Sequence, residues 1–345
     1  MIENLPRIYS IGLVCPLGKT YSESAQAYAK GEIAFRRASG LIGLDALPPT
    51  LAFVFPHDQP RNFIERLSLL FHTAIRQCED ALHQLHGLPP IPLHIFLPPW
   101  IERSSILPKL RETFDSAHRS LMASPLLHFG GPAECLVYAA ALATEVQAEK
   151  LDFALLCAID SFIHPDLLDF LNFNEDILTA ENPYGFVPAE AASAILISRE
   201  SVIRGRIAPL GSILAMRSAR EPENVKSPEG IIGRGLADCF DFGVGYPISR
   251  LIVDLNGQRY RSEEFGFALT STTLDLQYLA PDPEAPASKM GDVGTATALT
   301  YLAFALADKP ANNYQPSEVH ANSNNALIAT SSPSGLRATM IVEKG

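Results

Sequence analysis

No two cysteines stand in a CxxC pair: Cys15, Cys78, Cys135, Cys157 and Cys239 lie far apart and mostly in apolar surroundings. An odd, scattered set of this kind argues against a disulfide framework or a zinc-ligand pattern and fits reduced, buried thiols. No run of Lys and Arg interleaves with aromatics, and the formal net charge is −11. That balance disfavours nucleic acid and anionic membrane surfaces as partners. The opening residues, MIENLPRIYSIG, lack the basic stretch, apolar core and small-residue cleavage site of a signal peptide. The longest apolar runs, such as Leu151 to Ile159, are too short to span a bilayer. The expectation is a cytoplasmic protein with no membrane span, metal or cofactor.

What is present is a globular composition. Of 345 residues, 47% are hydrophobic and 19% charged, enough for one large domain or two fused halves. Strands alternate with helices along the chain. Ile8 to Val14 reads as a strand ending in the turn Cys15-Pro16-Leu17-Gly18. Asn62 to His86 carries a helical stripe of Leu67, Phe71, Ala74, Cys78, Leu82 and Leu85. Leu93 to Leu97 is strand-like, and a helix from about Pro132 to Glu149 leads into the strand Asp152 to Ala158. That strand is apolar on both faces, as in a sheet covered on both sides. Gly185 to Ile197 gives a further strand.

The order then repeats. Arg206 to Ala215 is strand-like, and Pro228 to Phe242 helical with Ile232, Leu236 and Phe240 on one side. Leu251 to Leu255 is a strand, Gly294 to Ala307 an alanine-rich helix, and Ala326 to Ala329 and Ala338 to Val342 closing strands. Gly130-Gly131-Pro132 before the first apolar helix corresponds to Gly291-Asp292-Val293-Gly294 before the later one. Duplication of an α/β unit is a fold-level signal. The Pro-rich stretches 275–287 and 308–316 read as surface loops, and no linker separates independent domains.

Three motifs in order carry a resemblance. They are Ile11-Gly12-Leu13-Val14-Cys15-Pro16-Leu17-Gly18, then Gly185-Phe186-Val187-Pro188-Ala189-Glu190-Ala191-Ala192, then Ser218 followed by Ser227-Pro228-Glu229-Gly230. Together they resemble G-x-V-S-P-L-G, G-F-V-x-G-E-G-A and S-D…S-P-D-G of the β-ketoacyl synthases in the thiolase superfamily. The resemblance implies an α/β thiolase-like fold, with duplicated βαβαβαββ halves (1–200 and 201–345) forming a five-layered αβαβα core.

The chemistry of that family needs a cysteine at a helix N-terminus, where the dipole favours the thiolate, and two histidines that assist decarboxylation and stabilise an oxyanion. Counting back from Asp152 through Leu136-Val137 puts Pro132 at the cysteine position. Proline has no thiol and no N–H, yet suits a first helical turn. Val253-Asp254-Leu255-Asn256-Gly257-Gln258 matches V-E-A-H-G-T, so Asn256 replaces the first histidine. An asparagine amide still donates a hydrogen bond. Gly291-Asp292-Val293-Gly294-Thr295-Ala296 matches G-H-x-x-G-A-A-G one residue short, so Asp292 replaces the second. A carboxylate ~4 Å from a developing oxyanion, at an effective dielectric of about 20, opposes it by roughly 4 kcal/mol. The family's G-F-G-G loop reads Ser332-Pro333-Ser334-Gly335.

Other residues have plainer readings. Cys135 lies within a turn of Pro132 and is the rescue candidate for a displaced nucleophile, with His128 the nearest base in sequence. A small buried core residue is the competing assignment. His164 and His320 read as structural or loop histidines, and Glu190 as a buried hydrogen-bonded support. Asp254, Glu263 and Glu264 fit no ligand spacing and read as a solvated acidic loop.

The expectation is therefore a catalytically inactive pseudo-synthase acting through protein–protein interaction. In the favoured version it is an adaptor or chaperone-like partner, for example of a type VI secretion effector. The resemblance also implies a dimer formed through a strand near the family's active-site elbow, the helix start matched here by Pro132, either a homodimer or a heterodimer with a thiolase-fold partner. The alternatives are a chain-length-factor-like subunit, an acyltransferase or hydrolase using Cys135 or the Asn256/Asp292 pair, and an acyl-binding module keeping the old tunnel. Net acidity disfavours an acyl carrier protein as partner.

Overall fold

The computed structural model describes residues 5–38, 47–56, 62–85, 90–115, 122–222, 230, 232–241, 245–272, 283–310 and 323–345. His320, Ser227 to Glu229 and most of both Pro-rich stretches lie outside them.

The first strands are β1 (Arg7–Val14), β2 (Arg36–Arg37), β3 (Thr50–Leu51), β4 (Leu93–Leu97), β5 (Leu126–Phe129), β6 (Phe153–Ser161) and β7 (Glu190–Ser198). Among them lie α1 (Tyr21–Ala29), α2 (Phe63–Arg76), α3 (Glu79–Gln84), α4 (Leu107–Asp115), α5 (Pro132–Gln147) and α6 (Pro165–Phe173). After α7 (Glu200–Ile203) come β8 (Gly211–Arg220), α8 (Arg234–Phe240), β9 (Arg250–Val253), α9 (Arg259–Ser271), α10 (Ala287–Met290), α11 (Thr297–Leu306), β10 (Asn325–Ser331) and β11 (Leu336–Lys344).

Nine strands hydrogen-bond in the order β5-β4-β6-β7-β1-β8-β11-β10-β9. The join between β1 and β8 is slight, only Arg7 with Ser212 and Ile8 with Gly211, so the sheet works as two sheets meeting at a seam. Each side has parallel outer strands (β5/β4/β6 and β9/β10) and antiparallel inner ones.

Both faces of these strands are buried, which explains their unbroken apolar runs. On β6, Phe153, Leu155, Cys157 and Ile159 pack outward under α2, α3 and α4. Ala154, Leu156 and Ala158 face inward against α5 and α11. On β10, Ala326 and Ile328 meet the same central helices, while Leu327 and Ala329 face α8 and α9. The result is five layers: helices, strands, α5 with α11, strands, helices. The small residues of α5 and α11 let both sheets approach this middle layer.

Several boundaries differ from the sequence reading. The helix expected over Asn62 to His86 breaks after Arg76. The Gln77 side chain turns to β1, donating to Leu13 O at 3.0 Å and accepting from Tyr21 N at 2.7 Å. The strand expected from Gly185 begins only at Glu190, because residues 186–189 make single bridges to Ile177, Asp292 and Ala52 instead. The strand expected from Arg206 to Ala215 runs from Gly211 to Arg220. Ile232 precedes α8 and is exposed, since Gly233 sits at φ +71 and starts the helix late. The acidic loop expected around Glu263 and Glu264 is α9, and its acids are treated below.

Candidate functional site

Proline at the first position of α5 needs no hydrogen-bond acceptor, so the helix starts cleanly at Pro132. The amides on either side are occupied. Gly131 N donates to Glu134 Oε2 at 3.0 Å, and Ala133 N donates to Ser332 Oγ at 2.9 Å. Ser332 comes from the turn between β10 and β11, and Ser334 Oγ in the same turn donates to Glu134 Oε1. A Cβ at Gly131 would meet Ser332 Oγ at 2.6 Å, so glycine is required for this closure. The positive end of α5 is thus neutralised by the chain's own hydroxyl and carboxylate.

Beside Pro132, a cavity of about 10 Å³ is lined by Asp254, Asn256, Arg261, Asp292, Thr297 and Tyr301. That is the space of about one water molecule. All three positions singled out in the sequence, Pro132, Asn256 and Asp292, meet there, from the start of α5, the loop after β9 and the loop after α10.

The polar groups bond to one another and to nearby backbone amides. Asn256 Nδ2 donates to Asp292 Oδ2 at 2.6 Å and to Gln258 Oε1 at 3.0 Å, and Asn256 Oδ1 accepts from Gln258 N at 3.0 Å. Asp292 Oδ1 accepts from Gly294 N at 2.7 Å. Arg261 Nη1 donates to Asp254 Oδ2 at 2.5 Å, and that oxygen also accepts from Ser331 N at 2.6 Å. Burial pushes the Asp254 carboxyl up, with Arg261 opposing. Deeper still, Asp160 accepts from Ser161 N and Thr295 N, both at 2.8 Å. Its carboxyl is pushed up to about 7, first by burial and also by the charge of Asp292.

The reading of Asp254, Glu263 and Glu264 as a solvated loop is corrected here. Glu263 is a surface partner of Arg259, but Glu264 is buried against Arg337 at 2.5 Å, and Asp254 is largely buried and paired with Arg261. The two arginines were the missing information, since a buried acid is stable only when paired. Among the described residues no group of three His, Cys, Asp or Glu is placed to hold a metal.

Cys135 is fully buried in the central core, and burial, then Glu134, pushes its thiol far above its ordinary value. His128 pairs with His94 rather than with Cys135. His164 precedes α6, with its ring against Phe63. Glu190 is fully buried, each oxygen accepting from Arg66 Nη1 at 2.8 Å, with further bonds from Ser161 Oγ and the amides of Val54 and Phe55. Arg66, Arg261 and Asp160 escaped the sequence reading, and Ser332 was named there only as the first residue of the loop matched to G-F-G-G, with no role assigned. All five cysteines are buried and unpaired, and no helix of the described residues is long and apolar enough to cross a membrane.

No protein-family model matches the sequence, and no curated protein matches it significantly. Solved structures do match. The ketosynthase of module 6 of the bacillaene synthase from Bacillus subtilis 168 superposes with a TM-score of 0.74 at 14% identity, covering 99% of this chain and 72% of that one. The ishigamide ketosynthase/chain length factor gives 0.74 at 14% identity, covering 99% of both chains. The ketosynthase ApeO in complex with its chain length factor ApeC, from Xenorhabdus doucetiae, gives 0.68 at 11% identity, covering 99% of this chain and 98% of that one. The chain therefore has the thiolase-like ketosynthase fold. Pro132 opens α5, and the amide after it is taken by Ser332.

Proposed function

We propose that this chain is a ketosynthase-fold protein without condensing chemistry, acting as the non-catalytic member of a pair with a thiolase-fold partner. The observation that carries the reading is the α5 elbow: Pro132 supplies no nucleophile, and the next amide is taken by Ser332. An oxyanion would also meet Asp292 where a donor is needed. The 10 Å³ cavity leaves no room for an acyl chain at this point.

The heterodimer reading takes precedence over the secretion-effector adaptor favoured from sequence. Two of the similar solved structures are described as ketosynthase with chain length factor, and nothing in the geometry favours an effector. Association through β5 suits its place at the end of the sheet, with Leu126 exposed. Acyl transfer at Cys135 is disfavoured by its burial and raised thiol.

Native mass spectrometry of the purified chain, alone and co-expressed with a thiolase-fold partner from neighbouring genes, tests this. A dimer that dissociates on Leu127→Pro in β5 supports the reading. A chain that stays monomeric under both conditions sinks it.

A further inference from the structure

The inner side of α6 is spent on the fold: Leu168 and Leu171 pack onto a small cluster with Leu51, Ile177 and Phe186. The outer side carries Phe170, 62% exposed, and Phe173, 83% exposed, three positions apart and so neighbours on one helix face. The chain then folds back onto the end of this helix. Phe186 N donates to Asp176 O at 2.8 Å and Asn182 Nδ2 to Ile177 O at 3.2 Å, which leaves Tyr184 between them 57% exposed. Three of the four most exposed large apolar side chains among the described residues therefore sit on this one unit. A single exposed apolar residue is ordinary, but a group held together on one element marks an interaction surface.

Charge narrows what can cover it. Between Lys150 and Arg199 the sequence has no lysine or arginine. Asp166 and Asp169 each stand one turn before a phenylalanine, Asp166 before Phe170 and Asp169 before Phe173, and both are exposed. Exposed Glu175 follows the helix at φ +57, a conformation that glycine adopts without strain, so an acid is kept where a side chain is disfavoured. Two cations approach the unit. Arg259 lies over the Tyr184 ring and is already paired with Glu263, and Arg36 lies over Phe53 at the rim of the underlying cluster.

A second copy of this chain would set the same acids against each other across the contact. Nucleic acid, anionic lipid and acidic proteins meet the same repulsion. What fits is an apolar stripe bordered by positive charge.

We propose that the outer face of α6, anchored by Phe170 and Phe173, docks an amphipathic helix of a partner protein whose apolar stripe is flanked by lysine or arginine. The face belongs to other elements than β5, so it is a second contact surface and does not depend on the pairing proposed above. It also borders the elbow, because Asp176 Oδ1 accepts from Gln258 Nε2 at 3.3 Å and Gln258 is bonded to Asn256.

The test uses the purified full chain and two fluorescein-labelled model peptides, followed by fluorescence anisotropy. One peptide is built of leucine and lysine with helical periodicity, and the other has glutamate in place of every lysine. The expected result is saturable one-to-one binding of the lysine peptide, weakening as salt rises, and no binding of the glutamate peptide. Phe170→Gln combined with Phe173→Gln leaves every charge in place and weakens the lysine peptide by about tenfold. Ile33→Gln, at a 60% exposed site elsewhere, leaves binding unchanged. Absence of saturable binding overturns the proposal, as does binding that the double variant leaves intact, that the glutamate peptide shares, or that Ile33→Gln weakens equally. Self-association that the double variant abolishes and Leu127→Pro does not would assign the face to a second copy and overturn it too. A chain that stays monomeric yet binds the lysine peptide through these phenylalanines upholds this docking face while the pairing through β5 fails.

Discussion

Replacing Asp160 with asparagine changes how the stability of this protein depends on pH. Asp160 is 4% exposed, and its folded-state carboxyl titrates at about 7 against an ordinary 3.8. A group whose folded value is raised favours the folded state when protonated. Its contribution is complete below about pH 4 and is lost as pH rises through about 7. At 1.36 kcal/mol per unit, the whole interval amounts to about 4 kcal/mol. Between pH 5 and pH 8 the loss is roughly 2.5 kcal/mol, because part of it has already occurred by pH 5. The asparagine side chain cannot ionise. It keeps one acceptor for the amides of Ser161 and Thr295 and leaves the other amide short, a cost of about 1–2 kcal/mol at either pH. The readout is therefore the difference between two pH values, not either stability alone. Urea unfolding at pH 5 and pH 8 should show the wild type losing roughly 2.5 kcal/mol more than Asp160→Asn. Equal losses would refute a neutral buried acid beside the elbow.

Ser332→Ala leaves the Ala133 amide without its acceptor and should lower stability by about 1–2 kcal/mol, read as a shift of the urea midpoint at constant slope. Arg66→Ala strands the fully buried Glu190 charge and should cost about 3–5 kcal/mol. Adding Glu190→Gln should recover part of that loss in a double-mutant cycle, and strict additivity would show the two side chains uncoupled. Pro132→Cys places a thiol at the start of α5 but should remain unacylated by an acyl thioester, because the adjoining cavity holds only about 10 Å³. Rapid acylation of that variant would mean that the Asn256–Asp292 contact opens readily.

The sequence was most informative where one residue type has one role. Unbroken apolar runs marked β6 and β7 because both faces are covered. The proline after two glycines marked the start of α5, and the helix does begin there. Pro132, Asn256 and Asp292, singled out by local motif, all line one cavity. Illegible were contacts between residues distant in sequence. Ser332 reaches Ala133 across 199 positions, and Arg66 reaches Glu190 across 124. α9 was missed because its buried face is short and its acids resemble a solvated loop until Arg337 and Arg261 are placed beside Glu264 and Asp254.

The central claim is that the ketosynthase fold is retained while its elbow is chemically closed. Intact-protein mass spectrometry after incubation with malonyl- and acyl-thioesters tests it most directly. The expected spectrum shows the unmodified mass alone, with no acyl adduct. A stoichiometric acyl adduct mapping to Cys135, abolished in Cys135→Ala, would contradict it.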